Sequence, residues 1–425
     1  MRTCGLSTPN GITRVQDIKY IRTLRIALQY LTMWPSRGLG ETETRSQIVY
    51  RYGLMAVGLI CLTTGVIYIR NSVGQLSFIR MGHTYITVIM NVISIARLTL
   101  TFTENYQVAM GEFFNKIHLF YFKDKSKYAM KIHLLVHKLS HFFTMYTCCL
   151  IVLGVVFFNI KPFYNNCMTG CFVSQNLGNV TLEQAVYYKL PFDYTTNYKG
   201  YFCVFFFNWF ISLIVSTLFF TIDLLMSLLV FHVWGHLKIL IHNIETFEDC
   251  EETTACIEID NYWYTVQGNK QAHLKLREIV VYHNLIVEYI SLMGSSFGYI
   301  IFFYYGFHQA CGCLLLLECS QMSAEAIIQY LPLTLTMLQQ LIQLSIIFEL
   351  VGAMTDKLAD ATYCLPWHKM DARNRRTVHI LLRKSQIPLN LKALDMVDVG
   401  VRTMTTIIKT SFSYFIMLRT VATES

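Results

Sequence analysis

Long apolar runs separated by short charged stretches set the pattern of this chain. A membrane-crossing helix needs about 20 predominantly apolar residues. Seven stretches meet that length: roughly 46–69, 77–102, 139–160, 201–233, 284–318, 325–353 and 396–420. The fourth is very aromatic, reading YFCVFFFNWFISLIVSTLFF from Tyr201. Helical periodicity runs on past three of them, in DLLMSLLVFHVWGHLKILIHNIETF after the fourth, KLREIVVYHNLIVEYI before the fifth and ELVGAMTDKLADATYCL after the sixth. An apolar face outside the bilayer must be covered by something, so these extensions predict a helical bundle beyond the membrane. Ahead of the first run, Asp17 to Trp34 is amphipathic, with Tyr20, Ile21, Leu24, Leu28 and Leu31 on one face. That pattern predicts a helix lying in the membrane interface.

The last run differs from the other six. Thr403, Thr406, Thr410, Ser413, Met417 and Thr420 step by three and four, so they share one helical face. Ile407, Ile408, Phe412, Phe415 and Ile416 occupy the others, and Lys409 stands about 100° from Thr410. Two readings fit. The stripe is either a polar seam against neighbouring helices or the wall of a water-filled pore in an oligomer, with Met417 as an apolar constriction.

Composition agrees with a membrane protein. The 425 residues are 54% hydrophobic and 15% charged, against about 25% charged in soluble domains. The net charge of +8 needs no nucleic acid to explain it. The basic residues gather in alternate loops, namely the N-terminal segment, 116–131 and 369–392, which places the N-terminus in the cytoplasm and the C-terminus outside. The Asn179 sequon then falls outside, as do Cys167 and Cys171, a possible local disulfide. No apolar stretch with a cleavage site precedes the first span, so that span is expected to insert uncleaved. The expected organisation is therefore 1–45, a cytoplasmic segment with the interfacial helix; 46–353, six spanning helices, with an intracellular loop at 237–277; 354–395, a cytoplasmic anchor segment; and 396–425, the seventh helix and a short external tail.

No enzyme constellation is present: no H-E-x-x-H, phosphate-cradling glycine loop or G-x-S-x-G. No cofactor or metal is expected. Among intramembrane ionisable groups, Arg97 is expected to snorkel from the inner end of the second span, and Asp223, Glu288 and Glu349 to pair within the bundle. GSSFG at 294–298 predicts close helix packing.

Three C-terminal segments, DATYCLPWHKM, LRKSQIPLNLKA and IIKTSFSYFIMLR, resemble in order and spacing the pattern of insect odorant receptors. LTMWP and IDLLMSLLVFHVWGHL also fit, while Phe412 and Met404 depart from the usual Tyr and Phe. The resemblance implies an all-α membrane protein of seven helices, with helices four to seven extended into a cytoplasmic anchor bundle. It implies a ligand-gated, non-selective cation channel, built with shared co-receptor subunits as a tetramer in the plasma membrane of olfactory sensory neurons. The short loop between helices four and five resembles that of ligand-tuning subunits. The ligand it implies is a small volatile odorant or pheromone, bound in the outer half of the bundle. There Met81, Tyr85, Gly154, Phe157, Phe158, Phe206, Trp209, Phe210, Phe297, Tyr330 and Thr334 supply an apolar, aromatic lining. Thr406, Thr410, Ser413, Met417 and Thr420 would line the pore, and Trp234, Leu237, Tyr363, Leu365 and Trp367 would hold the anchor together. Membrane lipid is the other expected partner. A gustatory-type channel is the nearer rival, although the Thr-Tyr and Gln-Phe last-helix motif is missing. A G-protein-coupled receptor would need the opposite orientation, a cytoplasmic tail, and D-R-Y and N-P-x-x-Y motifs.

Overall fold

The computed structural model describes residues 14–75, 78–172, 181–247, 264–319, 324–394 and 396–424. Among them the chain is almost wholly helical. Its principal helices are α1 (Lys19–Tyr30), α2 (Arg45–Ser72), α3 (Phe78–Leu98), α4 (Glu104–Glu112), α5 (Lys127–Met168), α6 (Tyr198–Glu245), α7 (Val266–Cys319), α8 (Ala324–Tyr363), α9 (Ala372–Ser385) and α10 (Val401–Glu424). A two-residue antiparallel pair, β1 (Lys392–Ala393) with β2 (Val397–Asp398), turns the chain into α10.

Starts and stops follow capping chemistry. The Thr44 hydroxyl accepts from Gln47 N–H while the Gln47 side chain accepts from Thr44 N–H, a reciprocal box that opens α2. Ser126 caps α5 and Asp371 caps α9. Among the described residues six helices, drawn from α2, α3, α5, α6, α7 and α8, are long and apolar enough to cross a membrane. The seventh, α10, has the length, 24 residues. Its hydroxyls and its three basic residues, Arg402, Lys409 and Arg419, hold its mean hydropathy below theirs.

The expected over-long helices are present. At 1.5 Å per residue α6, α7 and α8 run roughly 72, 81 and 60 Å, well beyond a hydrocarbon core of about 30 Å. The third spanning helix is over-long too: α5 begins at Lys127 rather than near 139. Its additional turns carry His133 and His137, whose polarity hid them in the sequence. Within the segment assigned to a loop at 237–277, the described residues are mostly helical, since α6 continues to Glu245 and α7 begins at Val266.

The additional lengths of α5, α6, α7 and α8 pack with α1, α4 and α9 into one core. This corrects the reading of α1. Its face of Tyr20, Ile21, Leu24 and Leu28 is buried against α5 and α6 and is not left to a lipid interface. Tyr20 Oη meets His118 Nε2 at 2.7 Å and His232 Nε2 at 3.2 Å. His118 Nδ1 accepts from Phe120 N–H and His232 Nδ1 from Leu119 N–H. With both Nδ1 atoms accepting, the proton of each neutral ring sits on Nε2 and points at the Tyr20 oxygen. Burial, and then the neighbouring His133, His137 and His236, hold His118 well below the usual histidine range.

Glycines mark two close approaches. Gly298, from the GSSFG stretch, sits where a Cβ would come within 3.2 Å of Leu394 N, so it packs on the β1 turn rather than on another helix. A side chain at Gly400 would collide with the Glu349 carboxylate, which accepts the Val401 N–H at 3.1 Å at the start of α10. An acid at a helix N-terminus opposes the positive end of the helix dipole.

Candidate functional site

The seventh helix has two unlike faces. Ile407 and Ser411 are buried, and Met404 and Ile408 pack beside them on the core formed by α7 and α8. One side chain of α7 fastens it. Gln309 Oε1 accepts from Thr410 Oγ1 at 2.5 Å, and Gln309 Nε2 donates to Ser411 Oγ at 3.2 Å. Thr406, Lys409, Ser413, Met417 and Thr420 are exposed on the other side, Met417 at 59%. Thr410 therefore belongs to the seam with α7 and not to the exposed stripe, so both readings of the hydroxyls apply, to different residues. The exposed hydroxyls bond back to their own helix, Thr406 to Arg402 O and Ser413 to Lys409 O.

Beside this helix lies a crevice of ≈ 420 Å³, its mouth included, between α7, α8 and α10. It is lined by His308, Gly312, Thr334 and Ser411 among apolar side chains. A second crevice, of ≈ 310 Å³, lies between α5, α6 and α8 and is more polar, with Thr147, Asp223, Gln339, Gln340 and Gln343 in its walls. Behind Asp223 is a buried ion pair. Arg97 is wholly buried and does not snorkel. Its guanidinium lies 2.8 Å from Asp223 Oδ1, donates to Phe219 O at 2.6 Å and stacks 4.3 Å above the Phe219 ring. Asp223 Oδ2 has no hydrogen-bond partner among the described residues and belongs to the more polar crevice.

The residues expected to line an odorant cavity are not brought together. Phe157, Phe206 and Phe210 point out of the bundle, at 69%, 67% and 46% exposure. Gly154 has open space where a side chain would stand. Phe297 is core, edge-on to Tyr106. Met81 is buried, Tyr85, Phe158 and Trp209 are half-buried, and Thr334 lines the crevice behind α10. The Tyr330 side chain and Asn179 lie outside the described residues. Cys167 and Cys171 are both free thiols, the second buried beside Thr169, so the expected disulfide is not formed. Of the anchor set, Leu237 and Leu365 are buried in the core, Trp234 is half-buried under Lys238, and Tyr363 and Trp367 are exposed. Sequence reasoning missed Gln309, His308 and, in α8, Gln339, Gln340 and Gln343. Gln339 and Gln343 stand four apart in an apolar run, a spacing that places both on one face.

The family model for the 7tm odorant receptors matches residues 77–412. The chain belongs to the odorant receptor family. Two Drosophila melanogaster receptors align over part of this one. Odorant receptor 22c is 26% identical over 37% of this receptor, and odorant receptor 85b is 34% identical over 18%. Those alignments span 39% and 20% of the two relatives' own lengths. The fold is similar to that of the insect olfactory receptor OR5 from Machilis hrabei. The TM-score is 0.74 at 16% identity, covering 94% of this receptor and 97% of that chain. The same Machilis receptor in complex with eugenol gives 0.73 at 17% identity, covering 95% and 98%. The receptor thus has the seven-helix, all-α membrane fold of its family.

Proposed function

We propose that this receptor is a ligand-tuning subunit of an odorant-gated, non-selective cation channel. It assembles with shared co-receptor subunits as a tetramer in the plasma membrane of olfactory sensory neurons, with its N-terminus in the cytoplasm. The observation that carries the reading is the division of α10. One face is fastened to the bundle through Ile407, Ser411 and the Gln309 amide, and the other exposes Thr406, Ser413, Met417 and Thr420. These hydroxyls donate back to their own helix, and their oxygen lone pairs remain to accept from water or another polar surface. A water-filled axis shared between subunits supplies both. Hydroxyls there solvate a passing cation without holding it tightly, and Met417 narrows the passage.

The odorant binds between the outer halves of α3, α5, α6, α7 and α8. Of the expected lining, Met81, Tyr85, Phe158 and Trp209 are the candidates that neither face outward nor belong, like Phe297 and Thr334, to the core or to the crevice behind α10. Eugenol, bound by the Machilis receptor, is a reasonable first member of a test panel. The deciding experiment is to express the receptor with and without a co-receptor and record currents against odorants. Odorant-evoked cation current that needs both chains supports the reading. A response carried only by a second messenger, with no current through the complex itself, overturns it.

A further inference from the structure

The crevice between α7, α8 and α10 is walled by apolar groups, with Leu315 of α7, Leu338 and Leu341 of α8, and Ile407, Ile408 and Phe412 of α10 among them. One polar ring interrupts that lining. His308 is 4% exposed, belongs to the wall, and its Nε2 has no hydrogen-bond partner among the described residues. Buried polar atoms in native proteins are nearly always paired, and leaving one unmade costs free energy that a matching partner recovers. The aromatic neighbours of His308, Tyr304 at 4.2 Å and Phe307 at 5.5 Å between ring centroids, fix the ring without satisfying that nitrogen.

We propose that this crevice is a second ligand site, taking a small neutral molecule whose single hydroxyl or carbonyl oxygen pairs with His308 Nε2 against the back of α10. The apolar walls exclude a charged ligand, because nothing there would neutralise it. The crevice is tight, so even a single ring or a short chain, the largest ligand it would take, must part α10 slightly from α7 and α8 to enter. A phospholipid acyl chain fills the volume but brings no partner for His308. The site is separate from the outer-half odorant cavity. Its far wall is the buried face of α10, and Ser411, held by Gln309, is part of it. An occupant therefore bears directly on the contact that fastens the last helix.

The binding claim is testable without any current, so it stands or falls apart from the channel reading. The purified full chain is labelled with a photoreactive diazirine derivative of benzyl alcohol, and the labelled peptides are mapped by mass spectrometry. Expected is label at 312–316 and 407–412 that benzyl alcohol displaces roughly tenfold better than toluene, which has the ring but no hydroxyl. In His308→Leu that preference should vanish while toluene competes as before. In Leu338→Trp, which fills the space, label at these positions should fall roughly tenfold. Equal displacement by the two competitors in the unmodified chain would reduce the crevice to a non-specific apolar slot and overturn the proposal. Label confined to outward-facing positions such as Phe157 and Phe206 would do the same. The competitor comparison uses the natural chain, so it decides the matter even where a variant fails to fold.

Discussion

Arg97 and Asp223 show what a membrane interior asks of single residues. The guanidinium is held by one carboxylate oxygen and one carbonyl, with the Phe219 and Tyr304 rings beside it. Removing one partner of a buried ion pair strands the other charge and costs about 3–5 kcal/mol, whereas replacing both with apolar groups is often nearly neutral. Asp223→Leu alone should therefore sharply reduce monodisperse protein in size-exclusion chromatography, and Arg97→Leu/Asp223→Leu should recover much of it. A double variant as poor as the single one would mean that the pair does more than neutralise itself. His118 gives a prediction of pH dependence. Its pKa is depressed in the folded chain, so the unfolded state binds more protons as pH falls. The stability it contributes is intact above its ordinary value of about 6.5 and is lost progressively below it. Its Nε2–H, aimed at Tyr20, is part of what docks α1. Protection of the amides in 19–30, corrected for the intrinsic pH dependence of exchange, should fall below about pH 6.5, and His118→Phe should blunt that fall. Gln309 holds two hydroxyls at once. Gln309→Leu should shift the half-activating odorant concentration severalfold, and Thr410→Val should add little on that background. Full additivity would show that the two side chains act separately.

At the scale of the helix, α10 presents chemically similar residues to different surroundings. Cysteine at Met417 or Ser413 should react with aqueous thiol reagents in the assembled channel and alter the current, while cysteine at Ile407, buried against the bundle, should not. Equal rates at 407 and 417 would remove α10 from the pore. Ile416 is exposed in the single chain at 61%, so its reactivity in the assembly reports a subunit or lipid contact rather than the core. Element by element, the sequence read well wherever apolar length decides the outcome. Seven runs, three over-long helices and the two-faced character of 403–420 all follow from spacing. It read poorly wherever two helix faces have the same chemistry. In a bilayer a phenylalanine is as comfortable against lipid as against another helix, so Phe157, Phe206 and Phe210 could not be told from lining residues. The burial of Arg97 is invisible in the local pattern because its partner is distant in the chain, 126 residues away. The start of α5 was missed because His133 and His137 break the apolar run that marks a span, although the buried bundle accepts both.

For the whole molecule, assembly depends on which apolar groups the single chain leaves uncovered. Leu237 and Leu365 are already spent on the internal core, so Leu237→Asp should unfold the subunit rather than separate it from a partner. Tyr363, 63% exposed, and Trp367 remain available at the same end. Replacing both with Ala should leave a folded monomer that co-purifies less with a co-receptor, read by pull-down against a surface-expression control. Undiminished recovery would put the subunit contact elsewhere.

Nothing interrupts α7 between the membrane bundle and the far tip of the molecule. The unbroken rod makes angle and distance interchangeable. Over its length of roughly 81 Å, a tilt of only about 1° at one end displaces the other by about 1.4 Å at the rise of a regular helix. A ligand too small to push anything far could still be registered at the opposite end of such a lever, provided the fulcrum holds. Stiffness in the shaft would then set sensitivity as much as fit in the cavity does. Gly294 stands midway along it with open space where a side chain would go, so Gly294→Ala would stiffen the shaft and sharpen the response without touching either end.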